Sequence, residues 1–115
     1  MATILVIDDD AQARDLFTQV LGVEHEVTTA SDWVTANAAL RPGVDLVLID
    51  VNMPTLSGDT VTKILLQTKP NLQIVLTSAM DESELRRLAR SVGAAGAIPK
   101  TFDQLLRVRV RRYLP

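Results

Sequence analysis

Five short apolar runs punctuate this chain, and between them apolar residues recur at helical spacing. The strand candidates are Thr3–Ile7, Glu26–Thr29, Asp45–Ile49, Gln73–Thr77 and Gly96–Ile98. Ile4, Leu5, Val6 and Ile7 form an unbroken apolar run, as a strand covered on both faces requires. The stretches between carry helix start and stop signals. Asp10 can cap a helix over Ala11–Leu21, where Leu16, Phe17, Val20 and Leu21 share a stripe and Gly22 is the stop. Ser31 can cap a second helix that ends before Arg41-Pro42-Gly43, and a third covers Thr60–Gln67, before Lys69-Pro70-Asn71. The fourth is the clearest. Asp81 with Glu84 three residues on makes a capping-box start. Leu85, Leu88, Ala89 and Val92 then recur at i, i+3, i+4 and i+7 until Gly93. The last segment, LLRVRVRR (105–112), alternates like a strand, yet Phe102, Leu105, Leu106, Val110 and Tyr113 also share a helical face. Four preceding strand–helix units favour a closing helix.

Five such units predict an α/β domain with a parallel sheet covered on both faces. At 115 residues the chain is one domain. No linker, repeat or low-complexity stretch divides it. Aromatic residues are only 3%, so the core is aliphatic and there is little to stack on nucleic-acid bases. Cysteine is absent, which excludes disulfides and thiolate metal sites and fits a cytoplasmic address. No basic leader and no apolar run of about 18 residues points to a membrane.

Charge is unevenly spread. Residues 1–59 hold 2 basic and 10 acidic side chains, and residues 60–115 hold 10 and 4. That asymmetry suggests a cation site early and an anion-tolerant surface late, or two halves that complement each other.

In open α/β sheets, sites form beyond the C-terminal strand ends. The residues following each strand therefore matter most. Asp8, Asp9 and Asp10 follow the first, Asp50 the third, Thr77 and Ser78 the fourth, and Lys100 the fifth. An aspartate after a strand is commonly a turn residue or helix cap, and Asp10 is read so. The remaining acids repel one another unless they hold a hard divalent cation, and an oxygen-only set suits Mg²⁺. Carboxylate, hydroxyl, ammonium and cation are together the parts of phosphoryl transfer, with a carboxylate able to act as nucleophile.

The stretches ILVIDDD (4–10), LVLIDVNMPTLSG (46–58), IVLTSA (74–79) and GAAGAIPKTF (93–102) resemble the receiver domains of bacterial two-component response regulators. The resemblance implies a flavodoxin-like, doubly wound five-stranded sheet of order 2-1-3-4-5 with five helices. It implies that Asp50 is the phosphoacceptor, that Asp8 and Asp9 bind Mg²⁺ with Asp50 and the backbone carbonyl of Asn52, and that Lys100 contacts the phosphoryl group. The family's hydroxyl precedes Ala or Gly at a set distance before the lysine, which selects Ser78 over Thr77. The implied partner is a sensor histidine kinase or histidine phosphotransfer protein, with a phosphorylation-dependent homodimer as a further association. The domain would catalyse only its own phosphorylation and dephosphorylation, and would bind neither nucleic acid nor membrane. A chain ending just after its last helix also suits a receiver domain, 1–115, cut from a longer regulator.

Two positions depart from the family pattern. Ala97 stands where Tyr or Phe is usual, and Thr101 follows Lys100 where proline is usual. They keep open an unphosphorylated pseudo-receiver that acts as an interaction module. A flavodoxin-like phosphatase or nucleotide-binding domain is a third class, but no second acid completes a D-x-D motif and no glycine-rich nucleotide loop is present. His25 is read as structural or solvated, and Trp33 as a cap on the core under the second helix. Arg107, Arg111 and Arg112 are expected on an exposed basic face of the last helix around Val108. That face is either merely solvated or, with helix 4 and strand 5, a partner or dimer surface.

Overall fold

The computed structural model describes residues 1–115. Five strands alternate with five helices: β1 (Thr3–Ile7), α1 (Ala11–Leu21), β2 (Glu26–Ala30), α2 (Trp33–Ala39), β3 (Leu46–Asp50), α3 (Gly58–Thr68), β4 (Ile74–Ser78), α4 (Glu82–Val92), β5 (Gly96–Pro99) and α5 (Gln104–Arg111). The strands are all parallel and ordered 2-1-3-4-5, as expected.

Strand alternation sends successive side chains to opposite faces, and each face has its own core. Ile4, Val6, Leu46, Leu48, Val75 and Ile98 pack under α1 and α5 through Ala13, Phe17, Leu21, Leu106 and Val110. Leu5, Ile7, Val47, Ile49, Ile74 and Leu76 pack under α2, α3 and α4 through Ala36, Val61, Leu65, Leu85, Ala89 and Val92. The two phenylalanines meet under α5: Phe17 packs edge-on against Phe102, with centroids 4.9 Å apart.

Helix starts follow the capping chemistry, with two shifts. Asp10 accepts from Gln12 N–H, and Asp81 from Ser83 and Glu84 N–H. The second helix is capped by Asp32 rather than Ser31, because the Asp32 carboxylate accepts Thr35 N–H while the Ser31 hydroxyl donates to Asp32. The third helix begins at Gly58, two residues before the expected Thr60. Gly93 ends α4 in the left-handed region, at φ 80°.

The ambiguous last segment is a helix. Leu106 and Val110 are buried and Val108 is 46% exposed, as a helical face requires; Leu105, expected on the buried stripe, is 47% exposed. The expected exposed basic face is present at Arg111 and Arg112, while Arg107 is half-buried. Arg107 Nε donates to the Val20 carbonyl at 2.9 Å, and Arg111 pairs with Glu24, so both fasten α5 to α1 and the loop after it. Arg109 reaches out to Glu82 at 3.6 Å.

His25 is structural. Its side chain is 11% exposed, and Nδ1 accepts Ala2 N–H at 3.2 Å, tying down the chain start beside edge strand β2. Trp33 packs half-buried against the core beneath α2, as expected. The Lys100–Thr101 peptide is trans, with Thr101 N–H turned to the Pro99 carbonyl at 2.9 Å.

Candidate functional site

The C-terminal ends of β1, β3 and β5 bring together the residues singled out above. Parallel strands present all their C-terminal ends on one edge, so the residue after each strand arrives there without further design. Asp8 is fully buried, Asp50 is 3% exposed and Asp9 is exposed. Oxygens of the three carboxylates lie within 4.8 Å of one another.

Lys100 answers this charge from β5. Its ammonium lies 2.8 Å from Asp8 Oδ2 and 3.4 Å from Asp50 Oδ1. That ammonium is the one partner of the fully buried Asp8 Oδ2, which accepts from no other donor. The other oxygen, Oδ1, accepts Asp10 N–H at 3.0 Å, and the Asp8 backbone carbonyl accepts the Arg14 guanidinium at 2.7 Å. Asp10 thus caps α1 with its side chain and steadies Asp8 with its backbone.

Titration reflects this crowding. Burial raises the Asp50 carboxyl above the ordinary aspartate value, and the Asp8 charge raises it further, against the Lys100 charge and the Asn52 N–H. Burial works against the Lys100 charge, but the Asp8 hydrogen-bonding contact and the Asp50 and Asp8 charges outweigh it, so Lys100 is raised. At neutral pH the lysine is charged. One ammonium therefore faces a cluster of three carboxylates.

The candidate hydroxyls sit at the end of β4. Register pairs Thr77 with Asp50, so these two share a sheet face and Ser78 starts from the other. Ser78 is the last residue of the strand, one step nearer the edge. Its oxygen accepts Asn52 Nδ2 and Met80 N–H, both at 3.1 Å, which ties it to the loop that follows Asp50. Its own carbonyl accepts Lys100 N–H at 3.0 Å. Ser78 thus bridges the Asp50 and Lys100 segments through backbone and side chain.

Two residues escaped the sequence reading. Gly58, at the start of α3, donates to the Val51 carbonyl at 3.0 Å, and a Cβ there would lie 2.2 Å from the Asp50 carbonyl oxygen. Only glycine lets α3 approach the loop this closely. The signal was a glycine at a helix start without a turn to explain it. Arg14 is the other. It is one of two basic residues in an acidic half-chain, placed one turn into α1, and that isolation was its signal.

The cluster fits a hard divalent cation. It offers oxygen donors only, one of them a buried carboxylate oxygen whose single partner is the Lys100 ammonium, which leaves it lone-pair capacity for a metal. The exposed Asp9 leaves a wet side, as an ion that keeps several waters needs.

Comparison with known proteins gives one family. The family described as "Response regulator receiver domain" matches residues 4–110. The chain is 34% identical over 106 residues to the chemotaxis protein CheY of Treponema pallidum, covering 88% of this chain and 74% of that one. It is 38% identical over 116 residues to the transcriptional regulatory protein CpxR of Klebsiella pneumoniae, covering 99% of this chain and 50% of that one. It therefore spans about three quarters of one relative and half of the other. Among solved structures it resembles the Vibrio cholerae chemotaxis protein CheY4, with TM-score 0.87, 28% identity and 99% of each chain covered. It also resembles the response regulator TrrA of Thermotoga maritima, solved in complex with Mg(2+)-BeF, with TM-score 0.84, 27% identity, and 99% of this chain and 100% of that one covered.

Proposed function

This chain belongs to the response regulator receiver domain family and works in phosphorelay signalling, and we propose that Asp50 is the side chain that accepts the phosphoryl group. Receiver domains interact with histidine kinases and phosphotransfer proteins, and such a protein is the proposed donor. An Asp50 carboxylate oxygen attacks phosphorus, the donor's P–N bond breaks, and its electron pair stays on the imidazole nitrogen. The product is an acyl phosphate on Asp50.

The observation that carries this reading is the Lys100 ammonium set between Asp8 and Asp50, at 2.8 and 3.4 Å. A lone cation amid carboxylates is placed to take a phosphoryl oxygen as charge arrives. Asp8, Asp9 and Asp50, with the Asn52 carbonyl, would hold Mg²⁺, which supplies charge neutralisation for the transferring group. Burial raises the Asp50 carboxyl and makes its anion the more basic nucleophile. Ser78, held by Asn52, is the proposed hydroxyl that follows the phosphoryl group and relays its presence to β4 and α4.

We read residues 1–115 as one receiver domain, cytoplasmic, with no turnover of a separate substrate and with a phosphorylation-dependent homodimer as a further association. No helix is long and apolar enough to cross a membrane. The test is labelling by acetyl phosphate. The expected label requires Mg²⁺, survives acid, is cleaved by hydroxylamine as an acyl phosphate is, and is absent in Asp50→Asn. Equal labelling of Asp50→Asn removes the assignment.

A further inference from the structure

A second concavity opens beside the acid cluster, on its α2 side. The β1–α1 and β2–α2 loops are tied together, with Asp8 N–H donating to the Ala30 carbonyl at 3.0 Å. Between the first turn of α2 and the loop after Asp50 lies a pocket of about 280 Å³. Trp33, Val34, Met53, Pro54 and Leu56 give it an apolar lining, and Asp32 stands at its rim. Val34 is 78% exposed. Trp33 is the chain's one tryptophan, and the Asp32 cap holds it at the first position of α2.

The only charged residue lining this pocket is acidic, Asp32. No lining residue is basic, and exposed Asp9 and Asp10 occupy the adjoining β1–α1 loop. The two basic residues of 1–59 are engaged elsewhere. Arg14 is turned to the Asp8 carbonyl, and Arg41 lies beside the opposite, N-terminal strand ends. The volume falls below the ~300–1,000 Å³ of small-molecule sites, so a protein side chain suits it better than a free ligand. A second copy of this chain is disfavoured, because a two-fold contact would set Asp32 and Asp9 near their own counterparts.

We propose that this pocket docks the phosphodonor protein: an apolar donor side chain seats on Trp33 and Met53, and basic donor residues beside it face Asp32 and Asp9. The inference rests on the reading of Asp50 as phosphoacceptor, since the pocket is formed partly by the loop that follows Asp50. A half-buried tryptophan in a small apolar hollow is the usual anchor of a protein interface. The acidic rim would govern encounter rate and salt dependence.

Two phosphodonors separate docking from chemistry. Acetyl phosphate is too small to need the pocket. The second donor is the autophosphorylated histidine kinase that labels the wild type fastest among the purified kinases of the source genome. Val34→Lys places a repelling charge at an exposed position and should leave acetyl phosphate labelling unchanged. Transfer from the kinase should fall in kcat/KM by about tenfold, mostly through KM, the equivalent of about 1.4 kcal/mol. Asp32→Asn keeps the cap and should flatten the salt dependence of kinase transfer. Trp33 emission should shift when the kinase is added to the wild type. Unchanged kinase transfer in Val34→Lys, loss with both donors alike, unmoved Trp33 emission, or no kinase faster than acetyl phosphate would each overturn the docking site. Failure of acetyl phosphate to label Asp50 in the wild type would instead remove the phosphoacceptor reading beneath it.

Discussion

Replacing Asp50 by asparagine should stabilise the metal-free protein, although it removes an ion pair from the site. At an effective dielectric of 20, the 3.4 Å contact with Lys100 is worth about 5 kcal/mol to the Asp50 charge. The Asp8 carboxylate, with an oxygen within 4.8 Å, returns at least about 3.5 kcal/mol of repulsion. The pair thus leaves a net attraction of only about 1.5 kcal/mol, against a burial penalty of several kcal/mol for a charge 3% exposed. Asparagine keeps the shape and loses the charge, and Lys100 keeps Asp8 at 2.8 Å. The expected gain is about 1–3 kcal/mol, raising Tm by roughly 4 °C per kcal/mol at this chain length.

Removing the lysine should do the opposite. Lys100→Met strands two buried carboxylates and should cost about 3–5 kcal/mol, softened as Asp50 takes up a proton. Adding Asp50→Asn to Lys100→Met should then recover much of the loss, a non-additivity expected of groups in contact. Urea unfolding in EDTA at pH 7 measures all four corners of this cycle. Asp50→Asn no more stable than the wild type, with additive single effects, would refute the electrostatic account.

Mg²⁺ should raise the wild-type Tm, by about 2.7 kcal/mol of stability at a hundredfold excess over Kd, and Asp9→Asn should blunt that rise in a thermal titration. Gly58→Ala forces a Cβ to 2.2 Å from the Asp50 carbonyl oxygen, so it should cost about 1–3 kcal/mol and slow acetyl phosphate labelling. Phe17→Ala, which empties a site 1% exposed against Phe102, should cost about 3–5 kcal/mol in urea unfolding without changing Mg²⁺ affinity. The side-chain hydrogen bond from Ser83 and the N–H groups of Glu84 and Ser83 hold the Asp81 carboxyl below its usual 3.8. Its stabilisation is therefore full above that value and lost as pH falls through the lowered one; in Asp81→Asn, which caps without titrating, Tm should fall less between pH 5 and pH 2.

The architecture was legible because its signals were local and redundant. Unbroken, short runs rich in β-branched residues, such as Ile4–Ile7 and Leu46–Ile49, read as strands with both faces covered, and Asp10, Asp81, Gly22 and Gly93 mark helix ends by their own chemistry. Most of the site was legible for a related reason. Asp8, Asp50, Ser78 and Lys100 end or directly follow strands, and parallel order brings those ends to one edge. What failed was one-residue competition and close approach. Ser31 and Asp32 are adjacent and both can cap, and only geometry gives Thr35 N–H to the carboxylate. The start of α3 was misplaced because Gly58 is a poor helix former. Its use is to admit the Asp50 carbonyl, a contact that no local pattern encodes.

Helix α5 shows how far a charge pattern can be read without partners. Periodicity alone leaves Arg107, Arg111 and Arg112 as one basic surface, and a basic surface invites an intermolecular reading. Yet Arg107 meets Val20 and Arg111 meets Glu24, each 87 positions away along the chain, while Arg109 reaches Glu82. Arg107, Arg109 and Arg111 are thus occupied within the molecule, and the acidic first half supplies two of the partners, the Val20 carbonyl and Glu24. A charge reversal at Arg111 would set like charges together between α5 and the loop after α1, so weakened association in that variant would report on packing as much as on recognition. Arg112, the residue that caps the end of α5, makes no side-chain ion pair or hydrogen bond, and it lines the cleft between α4 and α5 with Arg86 and Arg90. Any salt-sensitive association through α5 therefore has to be sought at Arg112, with Arg111→Glu serving as the control for a loosened helix.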